Sequence, residues 1–174
     1  GTSSDGNGFG GYATLYADEG SIDAADVLVD ASAVLGSGSG GFAGIEVYDG
    51  TITAEAATLV SNGASEGGEV RIRVETTEVG GSLALASLNA TANGGDAAGD
   101  VLVDVAAGST ADFGNATLTS NGGVPLSGED GIELDIVGDL TPGSLPLASS
   151  GQVLTKARPT MFSIGTNPSP GWSW

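Results

Sequence analysis

The chain contains no cysteine and no histidine. The first absence excludes a disulfide framework and any thiolate metal site. The second removes the commonest general base, and with it the hydrolytic triads built on an imidazole. Only four residues are basic against 22 acidic ones, which leaves a net charge of −18. Nothing in such a chain neutralises phosphates, so nucleic acid is excluded as a partner, and the charge suits solubility or cations. Nine of the 174 residues are aromatic while 31 are glycine. A core of large side chains is therefore not on offer, and a thin, stacked architecture is expected. No run reaches the roughly 18 to 20 apolar residues that a membrane-spanning helix needs, and no basic-then-apolar leader opens the chain. The first residue is Gly1, not methionine, so a processed or incomplete piece of a longer polypeptide is expected, and the missing leader says little about export.

The charge is unevenly placed. All 22 acidic residues lie at or before Asp139, where only Arg71 and Arg73 offset them, whereas residues 140–174 carry just Lys156 and Arg158. Five of the six prolines and both tryptophans also fall in that last part. Three regions are expected: a glycine-rich lead-in loop over residues 1–11, repeats over 12–147, and a distinct tail over 148–174.

What is present in quantity is repetition. Ala57-Thr58-Leu59-Val60-Ser61-Asn62-Gly63 returns as Ala116-Thr117-Leu118-Thr119-Ser120-Asn121-Gly122. Short segments alternating apolar and other residues, bounded by glycine, recur around both copies, which is the strand signature. Gly20, Gly50, Gly81 and Gly108 precede the second strand of successive units, a spacing near 30 residues that means a solenoid or an array. With three short strands per unit, each unit reads as one coil pairing in parallel with the coils above and below: an all-β parallel β-helix (β-solenoid) of about five coils. Inward ladders are expected to join Leu15, Ile45, Ile72 and Val103; Ile22, Ile52 and Leu83; and Val29, Leu59, Ala90 and Leu118. At a strand spacing of about 4.8 Å, five coils give a rod of roughly 24 Å. An antiparallel sandwich is the rival architecture, but the units repeat strand for strand, and their interiors are too poor in aromatic residues to fill the space between two sheets.

The tail, with Pro159, Pro168 and Pro170 unable to donate to a ladder, either folds over the last coil as a cap or anchors the chain in a partner through Phe162, Trp172 and Trp174. Asp5-Gly6-Asn7-Gly8 resembles half of a calcium loop, making Asp5 and Asn7 the candidate Ca2+ ligands. The bidentate glutamate that completes such a loop is missing, and turn chemistry is the stronger reading. Other acidic residues, Asp18 with Asp49, and Asp26, Asp30 and Asp104, are expected outward in near-register and read as a solvated face. Many parallel β-helices cleave acidic polysaccharides, which would require carboxylates beside a basic residue. Arg71 and Arg73, followed by Glu75, read instead as surface ion pairs to acidic neighbours such as Glu46 and Asp104. No catalytic residue and no further cofactor is expected. The loops at residues 64–68 and 123–130 are where binding is expected.

Units of the form Gly-Gly-x-Ala-Thr-Leu-x-Ala, Gly-Ser-Ile-x-Ala, Val-Leu-Val-Asp-Ala-Ser and Ala-Thr-Leu-x-Ser-Asn-Gly resemble the β-strand repeats of large exported bacterial proteins. These are the filamentous-haemagglutinin-like exoproteins of two-partner secretion and the passengers of autotransporters. The resemblance covers residues 10 to about 147. It implies a non-enzymatic structural or adhesive rod, secreted or on the cell surface, whose partners are other protein subunits or cell-surface and matrix components. The absence of cysteine fits proteins exported unfolded. The small size and the Pro/Trp tail depart from that pattern and leave open an accessory subunit docked on a larger assembly through its tail.

Overall fold

A computed structural model describes residues 8–33, 35–123 and 131–157. Alternation of β-branched or small apolar residues with polar ones yields strands throughout, and no helix occurs among the described residues. Each coil is built from a short and a long strand. The short strands are β1 (Tyr12–Asp18), β3 (Phe42–Tyr48), β5 (Glu69–Glu75), β7 (Asp100–Val105) and β9 (Gly131–Ile136). The long ones are β2 (Ser21–Asp30), β4 (Thr51–Val60), β6 (Ser82–Thr91) and β8 (Thr110–Ser120). In the fifth coil the long leg is broken into β10 (Asp139–Ser144) and β11 (Leu147–Ser149), and β12 (Gln152–Ala157) comes next. The short strands form one parallel sheet in the order β1-β3-β5-β7-β9-β12, and the long strands form a second in the order β2-β4-β6-β8-β10. The fold is the expected parallel β-solenoid, with about four regular coils.

The interior is one continuous column. Leu15, Ile45, Ile72 and Val103 are register partners, as are Ile22, Ile52 and Leu83, and Val29, Leu59, Ala90 and Leu118. Ile45, Ile52, Leu59, Ile72 and Leu118 are wholly buried. Since no coil can bury its own inward face, this stacking is where the stability resides.

Three expectations need correction. The second and third strands of each unit are a single strand with a bend. Inward positions run Ile52, Ala54 and then Ala57, Leu59, and the outward pair Glu55-Ala56 between them shifts the alternation by one. The pairing accordingly skips residues 25, 55, 86 and 114. A bend made from two small or polar outward residues looks, in sequence, like a gap between strands. Next, the fourth member of the Gly20, Gly50, Gly81 column is Ser109, not Gly108, because Ser82 pairs with Thr110. Gly108 instead matches Gly80, both in the left-handed region at φ 85° and 99°. There the Ser109 hydroxyl, buried, accepts the Gly81 N–H at 3.2 Å. Finally, the stack does not stop at residue 147: Leu147–Ser149 pairs with Leu118–Ser120, and β12 pairs along its whole length with β9. The piece assigned to the tail is the first strand of a further coil as far as Ala157.

Where each long strand leads into the next coil the turns themselves stack. Ala33, Gly63 and Gly94 form successive parallel bridges. The Asn62 side-chain oxygen accepts the Asn93 N–H at 2.8 Å, and that of Asn93 accepts the Asn121 N–H at 2.9 Å. This asparagine ladder is the role of the Ser-Asn-Gly ending in the duplicated stretch. The serine before it is buried: Ser61 and Ser120 each donate a hydroxyl to a backbone carbonyl, Gly41 and Gly99, at 2.6 Å. Residues 64–68, expected to be a variable binding loop, belong to this stack through Ala64 N–H to Ala33 O at 2.9 Å and Gly67 N–H to Ala97 O at 3.0 Å.

Candidate functional site

The outer face of the first sheet concentrates the unusual side chains. Because Ala13, Leu15 and Ala17 point inward on β1, and Ala43, Ile45 and Val47 on β3, the alternate positions Tyr12, Tyr16, Phe42 and Tyr48 point outward. Tyr12 and Phe42 are register partners on adjacent strands, and their rings stack at 4.5 Å with an interplanar angle of 5°. Tyr16 and Tyr48 lie 5.4 Å apart at 41°. The Phe42 ring also covers Gly44: a Cβ there would stand 2.8 Å from the ring, so glycine is what lets the aromatic side chain lie down on the sheet. The four rings form a platform held by paired backbone on both strands, with Tyr12 73% and Tyr16 51% exposed. Among the described aromatic residues only Phe113 is fully buried.

Beyond the rings the same face turns charged. Arg71, next to Gly44 in the register, places its guanidinium 5.4 Å from the Phe42 ring centre and pairs with Glu69. Arg73 pairs with Glu75 at 3.3 Å and across the coils with Asp104 at 3.7 Å. A hydrogen bond to Tyr48, with the nearby carboxylates, raises the pKa of Arg73 above its ordinary value. The expected cross-coil partner Asp104 is thus found. Glu46 stands opposite Arg73 in the register, but the other ion pairs are to Glu69 and Glu75 on the same strand. These pairs are partly solvated and each contributes little stability, but they occupy both guanidiniums. Further along, Asp104 lies beside Asp135, and desolvation raises its carboxyl pKa. Lys156 pairs with Glu133 at the far end.

The outward acids do not stack as expected. Asp18 registers with Tyr48, Asp26 with Ala56 and Asp30 with Val60. Asp49 instead turns into the next coil. Its carboxylate accepts the backbone N–H groups of Thr77, Glu78, Val79 and Gly80 at 2.9 to 3.1 Å and the hydroxyls of Thr76 and Thr77. Those bonds, the Thr77 hydroxyl foremost, hold its carboxyl well below the usual carboxylate range. The role is to order the turn over residues 76–80. A depressed folded-state pKa means that the contribution is fully present above the unfolded pKa, near 4, and is lost as the pH falls through the folded one. Asp49→Ala is therefore expected to speed amide exchange at residues 77–80 by on the order of tenfold or more at neutral pH. The wild type should lose protection at those amides only as the pH drops below about 4, a dependence that Asp49→Ala should lack.

On the opposite sheet the strand bend creates an open groove of about 610 Å3 along the rod. Its lining includes the small residues Ala25, Ala84, Ala86 and Gly114 and the acidic Asp23, Glu55 and Asp112. Thr53 donates to Asp23 at 2.8 Å. Among the described residues no three acidic side chains gather as metal ligands. No helix there is long and apolar enough to cross a membrane.

Asp5, Asn7, Phe162, Trp172 and Trp174 lie outside the described residues, as do residues 124–130 of the second expected binding loop. Nothing in the repeat pattern singles out the platform residues. The available signal is parity, since each stands next to an inward apolar position and on the outward step of its strand. Compared with models of known protein families, with curated proteins and with solved structures, the chain matches none of them.

Proposed function

We infer that the chain is a non-enzymatic structural or adhesive β-solenoid, part of a larger repetitive exoprotein at the bacterial surface or secreted from the cell. The observation that carries this reading is the placement of scarce aromatic side chains. Four of the nine aromatic residues are outward on adjacent strands of one rigid sheet, where they add nothing to the core. An exposed aromatic patch on a monomer marks a contact surface, and its mounting on paired strands pre-organises it. The repeat's resemblance to exoprotein β-strand units supplies the setting.

The test is adhesion. Beads carrying the purified chain are expected to be retained on bacterial cells or extracellular matrix material. Tyr12→Ala combined with Tyr16→Ala should reduce retention by about tenfold while circular dichroism still reports β structure, since both residues are largely exposed. Degradation of uronate polymers by the purified chain, abolished by Arg71→Ala, would overturn the reading in favour of an enzyme.

A further inference from the structure

We propose that the platform formed by Tyr12, Tyr16, Phe42 and Tyr48 binds an uncharged polysaccharide chain. The inference rests on the adhesive reading and names its ligand class.

Stacking takes one face of Tyr12, and Tyr12 with Arg71 covers Phe42, so the exposed side of Tyr12, the exposed Tyr16 ring, the ring edges and the phenol hydroxyls make the outward surface, apolar in the middle and polar at its rim. A pyranose ring has the matching character, with C–H groups on its faces and hydroxyls around its rim. Hydroxyl partners stand beside the rings. Asp18 ends the row that carries Tyr12 and Tyr16, and Glu46 lies between Phe42 and Tyr48, all on the same outward face. Tyr12 and Tyr16 are four residues apart on one strand, about 13 Å, and the two strands are about 4.8 Å apart, so the platform is long enough for more than one sugar unit along the strands and about one unit wide across them.

Charge decides which polysaccharide. The chain carries −18 overall, and Asp18, Glu46, Glu69 and Glu75 surround the rings. Both nearby cations are engaged: Arg71 by Glu69 and the Phe42 ring, Arg73 by Glu75 and Asp104. An anionic chain or an anionic lipid surface would meet repulsion with no free guanidinium to offset it. A neutral glycan meets none, and its hydroxyls donate well to carboxylates.

Affinity electrophoresis of the full chain through gels containing hydroxyethylcellulose, galactomannan, dextran or polygalacturonate tests this, with sedimentation equilibrium run alongside. The expected result is retardation by at least one of the three neutral polymers and none by polygalacturonate. Tyr12→Ala with Tyr16→Ala should weaken the retardation by about tenfold, and Tyr12→Phe with Tyr16→Phe should restore most of it, because stacking needs the ring more than the hydroxyl. Absence of retardation by all three neutral polymers, equal retardation of the alanine variant, or preference for polygalacturonate would each overturn the proposal. So would a dimer that the alanine variant abolishes, which would assign the face to a second copy of the chain. Tyrosine-dependent adhesion of beads without polysaccharide binding would leave the adhesive reading standing and remove only the ligand class.

Discussion

Phe113→Ala is expected to cost about 4 kcal/mol of stability, the loss typical of a fully buried phenylalanine whose neighbours cannot collapse into the space. The site has little freedom to relax. Phe113 occupies a column whose members, pairing strand to strand, are Ala24, Ala54, Leu85, Phe113 and Pro142. Side-chain volume grows along the rod from alanine to leucine to phenylalanine, so Phe113 is the bulkiest member of its column, packed between Leu85 and Pro142. Phe113→Leu, which repeats the residue found one coil earlier, is expected to cost only about 1.5 kcal/mol. Because each coil is stabilised mainly by its two neighbours, damage in the fourth coil uncouples the strands stacked beyond it. Urea denaturation monitored by amide exchange should show β9, β10 and β12 losing protection before β3 to β6 in the alanine protein. A single cooperative transition with unchanged midpoint would show that the column is not filled as described.

The parts of this architecture that could be read from sequence are those in which one residue type must recur at one depth. The inward ladders through Ile45, Ile52 and Leu59 were legible because burial enforces an apolar residue at every second position on either side of the bend. The bend in the long strands was not. A residue pair such as Glu55-Ala56 or Ala86-Ser87 carries no apolar signal and is indistinguishable from a short turn until its neighbours are seen to pair in register. The Gly108 assignment failed for a related reason: adjacent Gly108 and Ser109 offer two alignments, and only the pairing of Thr110 with Ser82 chooses between them. The aromatic platform sat within reach, since Tyr12, Tyr16, Phe42 and Tyr48 share one parity. Scarce aromatic residues weaken the expectation of a large core, yet they say nothing about where the few that exist are spent. Asp49 was beyond reach. Its partners are backbone groups 28 to 31 residues later, whose direction depends on how the 76–80 turn closes.

The abundance of glycine acquires a cause in the stacked turns between a long strand and the next short one, and that cause is open to a direct test. Gly68 N–H donates to Ser61 O at 2.8 Å, one coil above the matching bond from Gly41 to Ala31 at 2.9 Å and one below that from Gly99 to Ala92 at 2.9 Å. Backbones approach so closely there that a Cβ on Gly68 would stand 2.2 Å from both the Gly41 carbonyl oxygen and the Ser61 hydroxyl, and 2.5 Å from Gly40. The obstruction is mainly main chain held by ladder bonds on both sides, so it cannot swing away as a flexible side chain would. Gly68→Ala is expected to cost about 3 kcal/mol through forced separation of the second and third coils. Ser61, whose 2.6 Å bond to Gly41 would be displaced, should report it first through faster exchange of its amide. Gly20→Ala supplies the contrast. A Cβ on Gly20 meets nothing closer than the Asp18 carbonyl at 3.6 Å, at a turn in the first described coil. That substitution should stay within about 0.5 kcal/mol of wild type. Similar losses for both variants would mean that glycine serves the flexibility of the chain, whereas the wide difference expected here ties it to the distance between coils.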